Sequence, residues 1–206
     1  MVKHPTARAN LEELEKLGCI ILHEVDCHTM NRHPFLKTMK FDRIIFNFPH
    51  AGFYQSELEQ EQIELHQEVM KGFFRSARDM LKAKGEAHVT HKTSYPYNKW
   101  DLEILAGLAG LCLAEEVEFI KQDYPGYDNK RGDGDRSNDS FRVGMCSTYK
   151  FILQIREEIT CTPFDAVACP YIDVVACMWL DQYDPIRKPR PRRTRSKPIF
   201  SSNRSI

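Results

Sequence analysis

The run Phe41-Asp-Arg-Ile-Ile-Phe46 leads straight into Asn47-Phe-Pro-His-Ala-Gly52. A row of β-branched and aromatic residues reads as a buried strand, and a proline and glycine directly after it stop the ladder. The result is a stiff loop at the carboxyl end of a strand. It bears the amide of Asn47, the aromatic face of Phe48, the ring of Pro49 and the imidazole of His50. In open α/β sheets that edge is where ligands bind. An ordinary strand-to-helix turn also has this composition, so the loop gains meaning only from its surroundings.

The surroundings alternate between two periodicities. Residues 10–17 carry an N-cap asparagine, apolar positions 11, 14 and 17 and a closing Gly18, which predicts a helix. Residues 19–25 predict a strand ending at Asp26, and residues 43–48 predict a second. Residues 57–84 form a long amphipathic pattern, with Ile63, Val69, Phe73, Phe74, Ala77, Met80 and Leu81 near one face and Gly85 as its stop. A third strand is expected over 86–91. A helix follows over 97–110, with Trp100, Ile104, Leu105 and Leu108 inward. A fourth strand is expected over 113–120, and a last strand or hairpin partner within 140–153. Strands alternating with helices imply βαβ units and a mostly parallel sheet covered on both faces, hence the α/β class.

Length permits one domain with a real core. No apolar run reaches the about 18 residues of a membrane span, and the first residues lack the apolar stretch of a signal peptide, so an intracellular, membrane-free protein is expected. Seven cysteines without a C-x-x-C pair point to reduced thiols and no metal site. The zero net charge hides an asymmetry. Residues 187–206 hold eight basic side chains and no acidic one, leaving 21 basic against 29 acidic, or −8, in residues 1–186. Such a proline-interleaved tail reads as a disordered arm that finds phosphate, as a nuclear or nucleolar address, or as a solvated end without purpose.

Two loops carry further chemistry. Thr93-Ser-Tyr-Pro-Tyr-Asn-Lys-Trp100 is rich in stacking groups, and Asp123-Tyr-Pro-Gly-Tyr-Asp-Asn-Lys-Arg-Gly-Asp-Gly134 joins aromatics to two cations. Rings beside Lys and Arg suit unstacked bases and phosphates; a surface loop with tyrosines packed on the domain is the other reading. The second loop does not fit an EF-hand, because a start at Asp128 puts Lys130 at a ligand position. His23 and His28 are not spaced as H-E-x-x-H, and His88 and His91 read as satisfied strand histidines.

The segments Phe41–Gly52, Gly85–Lys92, Pro96–Trp100 and Tyr124–Gly134 closely resemble the Rossmann-like domain of the 25S rRNA uridine-N3 methyltransferase family, its plant members especially. The resemblance runs from about Asn10 to Leu153 and keeps the motifs in order. It implies a class I methyltransferase sheet of order 3-2-1-4-5-7-6, S-adenosylmethionine as cofactor and ribosomal RNA as partner. The family's glycine-rich first strand-turn-helix and its second strand are not found here, so the expected sheet lacks those two strands. The strand at 19–25 is then expected to pair directly with that at 43–48. The expected organisation is a partial Rossmann-like domain over 1–155, a short helical extension over 156–185 and the basic tail over 186–206.

Carried over position by position, the resemblance places Asp26 near the adenine of the cofactor and Asn47, Phe48 and Pro49 beside its methyl group. It places Lys92, Tyr95, Tyr97, Trp100, Tyr124, Tyr127, Asn129, Lys130 and Arg131 on the RNA side. N3 of uridine carries a proton and is hidden in paired RNA, so methylation needs an extruded base and a proton acceptor. His50 is the one titratable group on its loop, and imidazole suits a general base near neutrality; the alternative is a His50 that only fixes its loop. Asn47 is the expected holder of a uracil carbonyl. Three functional readings follow: a methyltransferase of the nucleus or nucleolus (or cytoplasm), an inactive fragment that keeps an RNA-binding surface, and a non-enzymatic interaction protein.

Overall fold

The computed structural model of the chain describes residues 7–132 and 136–154. The helical extension and basic tail expected from residue 156 onward lie outside them. Within the described residues α1 (Ala7–Lys16), β1 (Phe41–Asn47), α2 (Gln60–Met80), β2 (Leu81–Lys92), α3 (Leu102–Leu108), β3 (Leu111–Glu118) and β4 (Cys146–Leu153) follow in order. The sheet runs β1-β2-β4-β3. β1 and β2 are parallel, and β4 is antiparallel to both of its neighbours. Three strands thus share one direction and β4 opposes them. Read as family strands 4, 5, 6 and 7, this is the order 4-5-7-6 implied by the resemblance. The fold is α/β and Rossmann-like, with a four-stranded mixed sheet.

The core lies between one sheet face and α2. Alternation along β1 and β2 turns Ile44, Phe46, Ala87 and Val89 toward the helix, where Phe73 and Phe74 are fully buried. Phe46 meets Phe73 at 5.1 Å between ring centroids, and Phe74 meets Phe151 of β4 edge-on at 4.9 Å. The opposite face is polar: Arg43 faces Glu86 at 3.9 Å, His88 bonds Glu86 at 2.7 Å, and Lys150 bonds Glu115 at 2.6 Å. Among the described residues, one face packs on α2, and the other carries these partly buried polar pairs, as strands with an antiparallel member permit.

Four expected elements change. Residues 19–25 form no strand, so the expected pairing with β1 is absent and Ile20 is 67% exposed. The chain is fastened just beyond this segment instead. Met30 and Cys27 are buried, and the Cys27 thiol donates to the Val69 carbonyl of α2 at 3.7 Å. These anchors hold the segment to the helix rather than to the sheet edge. α2 ends at Met80, four residues before Lys84, because the buried Leu81 enters an extended backbone and pairs with Phe41. Gly85 lies inside β2, not at a helix stop. A Cβ there would meet the Phe41 carbonyl at 2.7 Å, so the register shift between Phe41 and Arg43 needs glycine. The helix expected over 97–110 is a 3-10 turn (Tyr97–Trp100) and the short α3, with Asp101 left-handed between them. Trp100 and Leu105 point inward as expected, whereas Ile104 and Leu108 are 64% and 77% exposed. The last strand begins only at Cys146.

Candidate nucleobase site

The loop after β1 is pinned from several sides. Phe48 takes the left-handed backbone at φ 48, rare for a bulky residue, and its N–H donates to the Thr90 carbonyl of β2 at 2.8 Å. Pro49 is buried and Asn47 is exposed at the strand end. Gln62, fully buried on α2, donates to the Gly52 carbonyl at 2.6 Å and accepts from Tyr54 N–H and Gln55 N–H at 3.2 and 2.9 Å. A sparsely populated conformation held by this many bonds belongs to a functional or tightly constrained loop.

Two imidazoles and a carboxylate complete the clamp. Gly52 N–H donates to Nδ1 of His50 at 2.9 Å, and Ala51 N–H donates to Nδ1 of His66 at 3.0 Å. With Nδ1 accepting in both rings, the neutral tautomers carry their protons on Nε2. His50 Nε2–H then donates to one oxygen of Glu57 at 2.6 Å and His66 Nε2–H to the other at 3.0 Å. Burial raises the Glu57 carboxyl, but the bonds and charges of both histidines outweigh it and hold it down at about 2. Burial lowers the His66 imidazole, with the Glu57 bond opposing. Donor atoms of His50, Glu57 and His66 lie within 4.8 Å of one another, as do those of Asp26, Cys27 and His28. Neither group offers a ready ligand set. The first has its Nε2 atoms protonated, and burial pushes the Cys27 thiol up to about 12.

Beneath the clamp, Trp100 stacks on His66 at 4.1 Å and meets His91, tilted by 40°, at 4.2 Å. Trp100 is 1% exposed. Its expected place on the RNA side is therefore corrected: the ring is packed against both histidines, and the residue is core. Asn129 is corrected for a similar reason. It is 3% exposed, donates to the Phe141 carbonyl at 2.6 Å and accepts from Lys121 at 2.9 Å. It braces the loop, and burial turns its amide away from any nucleotide.

Several of the other expected residues come together. Phe48 meets Phe119 at 5.6 Å and Phe141 at 5.3 Å, both edge-on. Phe119 stacks on Tyr124 at 5.1 Å and meets Tyr127 at 6.0 Å. The tip after β1 and the tyrosine loop thus share one aromatic wall. Lys92, the last residue of β2, sits over the rings of Tyr97 at 4.6 Å and Phe141 at 5.2 Å. Tyr95 is 64% exposed, Arg131 is exposed, and Lys130 is paired with Asp128 at 2.6 Å. Asp26 stands apart at a hollow of about 240 Å³ lined also by Glu24, Val25, Thr29 and Arg32. Its carboxylate accepts from His28 N–H at 2.9 Å and Thr29 O–H at 3.4 Å. A hollow below the ~300 Å³ of small-molecule sites, with its acid turned into its own turn, does not accommodate the whole of S-adenosylmethionine.

Sequence reasoning missed Glu57, Gln62, His66, Phe119 and Phe141. A signal for two of them existed: Gln62 and His66 interrupt the apolar stripe that continues through Val69, Met70 and Phe73, and a polar group at such a position needs a buried partner.

The BMT5-like family, described as rRNA (uridine-N3-)-methyltransferase BTM5-like, matches residues 1–131. Heavy metal-associated isoprenylated plant protein 41 of Arabidopsis thaliana is 49% identical over 149 residues, covering 72% of this chain and 29% of that protein. This chain thus spans well under two thirds of that relative's length. The uncharacterized protein At4g26485 of the same plant is 46% identical over 153 residues, covering 73% of each. A crystal structure of the M1.HpyAVI–SAM complex aligns over 68% of this chain and 57% of its own, at 9% identity and a TM-score of 0.37.

Proposed function

This chain belongs to the BMT5-like rRNA (uridine-N3-)-methyltransferase family, and from that premise we propose that it handles an unpaired uridine of large-subunit (25S) rRNA for methylation at N3. The observation that carries the reading is the shared wall of Phe48, Phe119, Phe141, Tyr124 and Tyr127 with Lys92 at its edge. An extruded pyrimidine needs flat apolar faces and a few polar contacts to its rim. In this reading Phe48 and Tyr124 face the base, exposed Asn47 binds a uracil carbonyl, and Tyr95 and Arg131 meet the flanking strand. S-adenosylmethionine supplies the methyl group. The described residues do not build its full cradle, so their own work concerns the base and its proton.

That work has a defined atom. Glu57 fixes Nε2 of His50 as a donor, so the basic nitrogen is Nδ1. Nδ1 accepts the local Gly52 N–H, from only two residues away. Exchange of that contact for uracil N3–H lets Nδ1 take the proton, and Glu57 then stabilises the imidazolium, as a carboxylate does in a nucleophile–base–acid relay. His50→Ala is expected to lower N3-methyluridine formation ~10²-fold or more. Undiminished turnover removes the base role and leaves His50 as a loop-fixing residue. A second reading, RNA binding without methyl transfer, is favoured by the inward-turned carboxylate of Asp26. Calorimetric titration of the full chain with S-adenosylmethionine separates the two: no heat of binding, with RNA binding intact, selects the second.

A further inference from the structure

Lys92 is a half-buried cation with no carboxylate within ion-pair distance among the described residues. Its ammonium rests instead on the rings of Tyr97 and Phe141, with the Tyr97 hydroxyl at 3.5 Å. Desolvation lowers its pKa, with the more distant Glu57 and Cys146 opposing and Arg131 adding to the fall. The distinction between ring and carboxylate partners matters. A carboxylate neutralises an ammonium and fills its hydrogen-bonding capacity, whereas π faces hold it while leaving its N–H donors unspent. Phe141 also packs on Phe48, so this cation, with one N–H turned to the Tyr97 hydroxyl and two others to spare, borders the wall assigned to the base. The groups facing it are Tyr97 from the 3-10 turn, Cys146 from β4, Arg131 from the tyrosine loop and, farther off, Glu57 and His91.

Resting on the proposed uridine site, we propose that Lys92 binds the deprotonated uracil ring, donating to the carbonyl oxygen that gains negative charge when N3 loses its proton. A positive charge kept in a weakly hydrated aromatic setting favours that anion over neutral uracil. It makes Lys92 a specificity group as well, because cytosine has no N3 proton to lose and offers an amino donor at the corresponding rim position. A phosphodiester is the other source of anionic oxygen. Flat ring walls favour the planar imide, since phosphate sites are built from backbone N–H groups and forked guanidinium donors.

The test is binding of the full chain to single-stranded oligouridine, oligo-5-fluorouridine and oligocytidine. It is run at a mildly alkaline pH at which the fluorinated imide has largely lost its N3 proton and uracil has not. The wild-type chain is expected to hold the fluorinated strand roughly tenfold or more tightly than oligouridine, as for a hydrogen bond to a charged group. Lys92→Met keeps the packing of the stem and is expected to abolish that preference while leaving the salt dependence unchanged. Lys92→Arg keeps the charge and is expected to retain it, which guards against a fold defect in the first variant. If Lys92→Met weakens all three strands equally and reduces the salt slope, Lys92 serves a phosphate and the inference is overturned. An unaltered preference overturns it too. Failure of every strand to bind the wild-type chain instead overturns the uridine site on which it rests.

Discussion

At the scale of single residues, the packing of His91 and His66 on Trp100 ties stability to pH. His91 is 4% exposed, and burial pushes its imidazole down to about 4, although its Nε2–H bond to the Tyr97 carbonyl opposes this. A histidine lowered by folding favours the native state fully above its unfolded value near 6.5. That contribution is lost as pH falls through the folded value. The fall from pH 6.5 to about 4 is therefore expected to remove about 3 kcal/mol through His91 alone. The His66 contribution fades in the same direction. Glu57 acts in a lower window, being lost from its ordinary value of 4.5 down to about 2. Denaturant unfolding at stepped pH checks this, and His91→Phe should flatten the upper window. Glu57→Gln places an amide between two N–H donors. It is expected to cost about 2 kcal/mol at neutral pH, the range for losing bonds to a charged group; an unchanged midpoint would show that the clamp adds nothing to the fold.

At the scale of elements, two glycines mark where backbone meets its neighbour. A Cβ at Gly72 of α2 would lie 2.2 Å from Nδ1 of His28, so the helix offers its bare backbone as the seat for that ring. Gly85 faces the Phe41 carbonyl, which cannot step aside as a side chain can. Gly85→Ala is expected to destabilise by about 1–3 kcal/mol, and Gly72→Ala by less, with its effect confined to residues 26–32. Hydrogen exchange resolves the two, since global loss of protection in the Gly72 variant would contradict the local docking. These close approaches also explain what was legible in the sequence. β1, α2 and β2 announce themselves because each buries a stripe at its own period. The early end of α2 was invisible because it depends on Leu81 finding Phe41, a partner 40 residues away. The segment 19–25 shows the converse limit: an apolar run records a tendency to be buried but not the surface available to receive it. In the site, the loop after Phe46 and the tyrosine loop were readable as segments that belong together, and their rings do meet. The roles of Trp100 and Asn129 were not readable, because an aromatic or amide in a loop looks the same whether it faces solvent or core.

At the scale of the whole molecule, charge must reconcile an acidic stretch of sequence with the proposed RNA partner. Residues 1–186 carry a formal −8, and the eight basic residues of 187–206 bring the chain to zero. Among the described residues no helix is long and apolar enough to cross a membrane, so bilayer insertion through those helices is not part of the explanation. A body with this charge repels RNA at long range, and association then depends on the basic stretch reaching the first phosphates. Replacing Arg187, Lys188, Arg190, Arg192, Arg193, Arg195, Lys197 and Arg204 by glutamine in the full-length chain should therefore weaken binding to every RNA sequence alike. It should also flatten the plot of log affinity against log salt by ~0.7 for each single-strand phosphate no longer neutralised. The base preference assigned to Lys92 should survive, because Lys92 lies outside that stretch. Anisotropy titrations across a salt series measure both quantities in one experiment. A variant that loses base preference while keeping its salt slope would place nucleobase recognition in the tail and empty the aromatic wall of its proposed role.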